Sequence, residues 1–166
     1  MEACPGCGVE LPGNGWDGPR HSTASGACWQ LYGELGAYVL EHSAVLGRWQ
    51  QTTVDAYAAQ HTGPDTPVVA TAFALNGLYL VFERGLTGPQ VRAAHSFLAQ
   101  AGGDWPRFAV PAGVGPYTVF DVALADGPDG TAAAIAAWGR GVWDAWRPAH
   151  AEIAALTDRR LSAWRP

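Results

Sequence analysis

Charge is scarce in this 166-residue chain: 15% of residues are charged, only 10 are Lys or Arg, and the formal net charge is −5. No run of basic residues occurs. A surface that tracks phosphates needs clustered positive charge, so nucleic acid is not an expected partner. Long hydrophobic runs are also missing. The longest, Val68 to Phe82, falls short of the roughly 18–20 residues of a membrane span and contains Asn76-Gly77, so no membrane association is expected. The chain opens Met-Glu-Ala-Cys, without a positive stretch leading into an apolar core; no secretory signal is expected, and the reading is a cytoplasmic protein. Several catalytic signatures are absent: there is no H-E-x-x-H, no G-x-S-x-G and no phosphate loop. Gly113-Val114-Gly115-Pro116 lacks the strand–turn–helix setting of a nucleotide site. Cysteine is sparse and odd in number, three in all, which disfavours a disulfide framework and favours a metal or redox role in a reducing compartment.

What is present is apolar and aromatic: 48% hydrophobic residues and eight tryptophans, enough for a folded core in one domain spanning 1–166. Residues 1–24 are rich in Gly and Pro, have little periodicity, and would lack a core without a staple. From Ser25, a plausible cap, the pattern turns helical. Cys28, Leu31, Tyr32, Leu35 and Val39 form one stripe, with Gly33 and Gly36 as candidates for a close crossing. A second helix is expected over Leu46 to Gln60 or His61, with Val54, Tyr57, Ala58 and His61 on one face. A third, apolar nearly all round, covers Val68 to Arg84, with Gly85 as its stop. A fourth starts at Gly88-Pro89 and carries Val91, Ala94, His95 and Leu98 inward. A loop over 103–117 leads to a short helix capped by Thr118. Asp126-Gly127-Pro128-Asp129-Gly130 reads as a breaker before a long helix, Thr131 to Trp146, which Pro148 must kink or restart. No alternating strand pattern stands out. The expected fold is an all-α, single-domain helical bundle over 25–166, with an N-terminal zinc-knuckle loop stapled to the first two helices.

The chemistry centres on Cys4-Pro5-Gly6-Cys7-Gly8. Two thiols at this spacing can grip a metal in a tight turn, and both glycines tolerate positive φ. A redox pair of the thioredoxin kind would sit between a strand and a helix, a context the sequence lacks. Cys28, at the start of the first helix, is the third expected ligand, since exposed amides and the helix dipole favour a thiolate there. Antiparallel packing of the first two helices brings the end of the second beside the start of the first, which favours His61 as the fourth ligand. His21, seven residues before Cys28, is the alternative. His42, roughly 21 Å along the helix at the helical rise, is out of reach. His95 reads as a hydrogen-bonded core histidine, and His150 as a surface or helix-start residue. Asp55, Tyr57 and Gln60 are candidates to orient the ligands, with Tyr57 one turn from His61.

The combination of Cys4-Pro5-Gly6-Cys7-Gly8, His21, Cys28-Trp29 and Val54-Asp55-Ala56-Tyr57-Ala58-Ala59-Gln60-His61 resembles the uncharacterised bacterial family DUF5946. So does the tail with Trp138, Val142-Trp143 and Trp146. The resemblance implies a small metal-binding protein and supplies no reaction. Three expectations follow. The first is a structural Zn²⁺ closed by Cys4, Cys7, Cys28 and one histidine, with function residing in a small-molecule or protein partner. The second is a metalloenzyme whose Cys/His-held zinc keeps an open position to activate water or substrate. The third is a small-molecule-binding helical protein whose pocket is lined by aromatics such as Trp105, Phe108, Tyr117 and Trp143.

Overall fold

In the computed structural model, which describes residues 1–166, helix α1 (Gly26–Glu41) starts where the apolar stripe starts. Ser25 caps it, its hydroxyl accepting from the Cys28 amide at 3.2 Å, and Cys28, Leu35 and Val39 are buried along its inner face. Gly33 and Gly36 face open space, so neither marks a close crossing. The expected second helix is broken at its start: a single turn, α2 (Ser43–Leu46), and a 3-10 turn over Gly47–Trp49 precede α3 (Gln50–Gln60).

α3 is the helix the sequence hides best. It packs against α1 on one side and against α4 (Val68–Phe82), α5 (Gly88–Ala101) and α7 (Gly127–Ala145) on others, so seven of its 11 residues are buried. Surrounded in this way, it needs no apolar stripe. Its buried residues include Thr52, Thr53, Asp55 and Gln60, whereas Val54, expected inward, is 42% exposed. α4 is buried on most of its surface, as its composition predicts, and Gly85 (φ +69°) ends it. Where α3 crosses α4, Gly77 lies so close to the Asp55 carboxylate that a Cβ would sit 2.5 Å from Asp55 Cγ.

The caps of α5 and of the short α6 (Val119–Ala123) are reciprocal side-chain boxes, Thr87 with Gln90 and Thr118 with Asp121. α7 begins four residues earlier than expected. The Asp126-Gly127-Pro128 stretch that reads as a breaker is its first turn, where proline is tolerated because its missing amide would have no partner anyway. Pro148 restarts the helix: a 3-10 turn over Arg147–Ala149 leads into α8 (His150–Arg160). On α7 each buried tryptophan finds an acceptor for its indole N–H: Trp138 on Gln60 Oε1, Trp143 on Glu83 Oε1 and Trp146 on the Ala59 carbonyl.

One apolar cluster runs through the molecule from Cys4 to Leu161. The only strands are a two-residue pair, β1 (Glu2–Ala3) and β2 (Glu10–Leu11), antiparallel with Glu2 opposite Leu11. They flank the cysteine turn. Among residues 1–23 the only buried ones are Cys4 and Cys7. The fold is all-α apart from this pair, and no helix is long and apolar enough to cross a membrane.

Candidate metal centre

Three elements bring the site together. The β1–β2 turn carries Cys4 and Cys7, with the Cys4 amide donating to Val9 O and the Gly8 amide to Cys4 O, both at 2.8 Å. The first turn of α1 carries Cys28, and the residue just past α3 is His61. One ligand atom from each of Cys4, Cys7, Cys28 and His61 lies within 4.8 Å of the others, and all four residues are buried. Cys7 Sγ and Cys28 Sγ are 3.8 Å apart, and Cys28 Sγ lies 3.5 Å from His61 Nε2. No pair is joined as a disulfide.

His61 is held for this arrangement. Its Nδ1–H donates to the Tyr57 carbonyl at 2.8 Å, which orients the ring and leaves Nε2 facing the sulfurs. The Tyr57 ring packs on the imidazole with centroids 4.0 Å apart, and its hydroxyl donates to Cys28 Sγ at 3.4 Å. Tyr32 stacks on the other side of Tyr57 at 4.0 Å, so an aromatic column fills the α1–α3 seam as far as the site. On the opposite wall the Ser25 amide points at Cys4 Sγ, 3.4 Å away.

Gly6 and Gly8 serve different ends. Gly8 has φ +77° and supplies the left-handed turn residue. Gly6 does not, which corrects the expectation that both do: it lies against the His61 ring, and a Cβ there would sit 2.6 Å from Thr23 Oγ1 and closer still to His61 Cδ2.

The electrostatics are those of packed, mutually bonded thiols. Hydrogen bonds from Cys28 and Cys7 push the Cys4 thiol far below its ordinary value, whereas the same sharing raises Cys7 strongly and Cys28 to about 11. Burial opposes charging of His61, but hydrogen bonds to Cys4 and Cys7 outweigh it and raise the imidazole to about 9. Of the three sulfurs only Cys4 is driven toward the thiolate, and a histidine nitrogen is aimed into the cluster.

The other sequence candidates lie elsewhere. His21 is exposed, with φ 65°, and its Nδ1 pairs with the Asp65 carbonyl at 3.1 Å. Of the proposed orienting groups, Tyr57 touches the cluster, whereas Asp55 and Gln60 bond to other partners. Asp55 accepts from Gln51 Nε2 at 3.0 Å; its second oxygen has no partner, and burial raises its pKa well above the ordinary range. Gln60 Nε2 donates to the carbonyls of Val114 and Tyr117, both at 2.8 Å, so it pins the 103–117 loop. His42 bonds to Tyr38 O at the end of α1. His150 opens α8, stacked on Trp143 with centroids 3.7 Å apart. His95 Nε2 is buried without a partner, and the ring packs on Phe73 with centroids 5.1 Å apart.

A family model described as "Family of unknown function (DUF5946)" matches residues 2–147, which take in all four clustered residues. The chain belongs to the DUF5946 family. No curated protein and no solved structure matches it. In this DUF5946 protein the expected aromatic pocket does not form. Trp143 is a core residue, Trp105 packs on Phe73 beneath Arg160, Tyr117 is exposed, and Phe108 alone of the four lines the main groove. No residue type points to the backbone carbonyl of Tyr57 as the orienting group, because a carbonyl carries no residue identity. The buried cluster is compatible with a structural metal ion.

Proposed function

We propose that this DUF5946 protein is a structural zinc protein, in which Cys4, Cys7 and Cys28 thiolates and His61 Nε2 hold one Zn²⁺. The single observation that carries the reading is the spacing of donors. Zn–S bonds of about 2.3 Å and Zn–N bonds of about 2.0–2.1 Å in a tetrahedron put sulfurs about 3.8 Å apart and sulfur–nitrogen pairs about 3.5 Å apart. Two of the six donor pairs have those distances, 3.8 Å for Cys7–Cys28 and 3.5 Å for Cys28–His61, and all six lie within 4.8 Å. Soft thiolates with one imidazole suit zinc over harder cations. Four protein donors fill a tetrahedral shell and leave no position for substrate water, which favours a structural ion over the open metalloenzyme site.

The ion would give residues 1–23 the anchor they otherwise lack, tying the β1–β2 turn to α1 and to the end of α3. Metal content of the purified chain tests this. We expect one zinc in the wild type and in His21→Ala, and loss or severe weakening in Cys28→Ala and His61→Ala. Chelation should lower the melting temperature of the wild type. Wild type prepared without chelator and free of metal, or a melting temperature unmoved by chelation, would sink the reading.

A further inference from the structure

Beside the cysteine turn runs a groove of about 710 Å³, within the range of small-molecule sites, about 300–1,000 Å³. Its walls come from three stretches far apart in sequence: the Pro5–Gly6 tip of the turn, the connection from Thr62 into the first turn of α4, and the loop from Arg107 to Val114. Each wall is fixed by a contact outside the groove's own needs. Gly6 rests on the His61 ring. Gln60 holds the loop through Val114 O and Tyr117 O, and Arg107 Nη1 reaches the carbonyls of Pro64 and Thr66 at 3.4 and 3.5 Å. The cavity is therefore built by the fold's main tethers.

Its chemistry is one-sided. Arg107 is the sole charged residue of the lining, and no Asp or Glu borders it, in a chain whose net charge is −5. Only Nη1 of that guanidinium is engaged, which leaves Nε and Nη2 without partners. Thr23 Oγ1, close to Gly6 in the wall, is buried with no hydrogen-bond partner. Phe108, Val110, Pro111 and Val68 supply apolar surface.

We propose that this groove binds a small monocarboxylate with an apolar body. The carboxylate pairs with the free edge of Arg107, whose planar fork matches two carboxylate oxygens. The body lies along Phe108 and Val110. One cation offsets one negative charge; a dianionic phosphate ester would leave charge uncompensated among apolar walls. The proposal goes beyond the metal reading and depends on it only for the position of the Pro5–Gly6 wall.

The test is a ¹⁵N NMR titration of the full chain, as purified, with acetate, phenylacetate and 4-phenylbutyrate, and with 4-phenylbutyramide as the neutral control. Zinc content is measured on the same samples. We expect saturable shifts at the amides of Gly6, Thr23, Gly63, Ala109, Val110, Ala112 and Val114, tightening as the apolar body grows, and about tenfold weaker binding of the neutral control. Arg107→Gln, at an exposed position, should weaken 4-phenylbutyrate about tenfold while keeping its metal. Shifts with none of the carboxylates, equal binding of acid and amide, or unchanged affinity in Arg107→Gln would each overturn the proposal. A metal-free wild type that still binds 4-phenylbutyrate through Arg107 would remove the zinc reading and leave the groove standing.

Discussion

Gly6→Ala is the substitution that best separates a built metal site from a chance cluster of thiols. The backbone at Gly6 is not left-handed, so alanine costs nothing there through φ. The cost is contact. Ordinary van der Waals approach begins near 3.4 Å, and the new Cβ would lie 2.6 Å from Thr23 Oγ1 and nearer still to His61 Cδ2, a shortfall of about 0.8 Å or more. Either the imidazole or the cysteine turn must yield by that amount. Metal–ligand bonds tolerate only about 0.2 Å of misplacement, so one donor is pulled out of bonding range. The His61 ring has little freedom to move, clamped between Tyr57 and the hydrogen bond to the Tyr57 carbonyl. We expect zinc affinity to fall at least about tenfold and the chain to lose about 1–3 kcal/mol, as for other overpacked sites. Gly8→Ala is the control. At φ +77° with open space around the Cβ position, it should cost about 1–2 kcal/mol of backbone strain yet leave the donor geometry intact. Competition against a chromophoric chelator, with thermal melts in parallel, measures both. If Gly6→Ala holds zinc as tightly as the wild type, the reasoning from Gly6 to His61 is wrong.

Four further outcomes follow from contacts elsewhere. Tyr57→Phe removes the hydroxyl on Cys28 Sγ but keeps the carbonyl that orients His61, so zinc stoichiometry should hold while stability drops by about 1 kcal/mol in chemical denaturation. Gln60→Glu turns two donated bonds into a carboxylate facing two carbonyls, and should cost about 2–4 kcal/mol with metal content unchanged; equal stability would remove Gln60 as the loop's tether. Burial holds His95 down at about 4 against an ordinary 6.5, so the unfolded chain binds more protons between those values. Stability is then complete above pH 6.5 and lost as pH falls toward 4, by up to about 3 kcal/mol, a slope that His95→Gln should lack. Asp55 has the opposite sign. Its carboxyl is kept protonated by burial while the unfolded chain ionises near 3.8, so wild-type stability relative to Asp55→Asn should fall as pH rises above 4, read from denaturation midpoints.

How legible these features were in the sequence depends on whether a residue's role lay in its type or in its surroundings. α1 and α4 declare themselves through apolar spacing, and the thiols through identity, because few residue types offer soft donors. The meeting of Cys28 with His61 was reachable from topology, since a short connection makes α1 and α3 antiparallel neighbours. α3 was harder to read: enclosed on several sides, it buries Thr52, Asp55 and Gln60, and polar residues enclosed in a core share their types with surface residues. Position along the chain puts Asp55 and Gln60 next to the metal ligands, yet their partners are Gln51 for the one and the distant Trp138, Val114 and Tyr117 for the other. The start of α7 at Gly127 was hidden because Gly and Pro break a helix interior but suit its first turn.

The placement of the cluster also bears on what a structural ion would do here. The helices from α3 to α8 pack on one another, and Leu75, Leu78, Ile135, Trp138 and Ile153 among them are essentially inaccessible. That segment buries only Cys4 and Cys7 and otherwise docks through partly exposed contacts, among them Val9 and Leu11 against the core, the Thr23 amide on His61 O and Thr66 Oγ1 on His21 O. Ordering it costs about 1–2 kcal/mol per residue in backbone entropy, far more than two buried thiols return. A zinc ion tying this segment to α1 and to the end of α3 would supply an anchor that burial of those two thiols does not. Metal loss should therefore release the first 23 residues while the helices stay folded. In hydrogen exchange, amide protection at Gly8 and Thr23 should vanish with chelation while α4 and α7 keep theirs. A global loss of protection instead would mean that the ion supports the helical core itself, and not only its N-terminal cover.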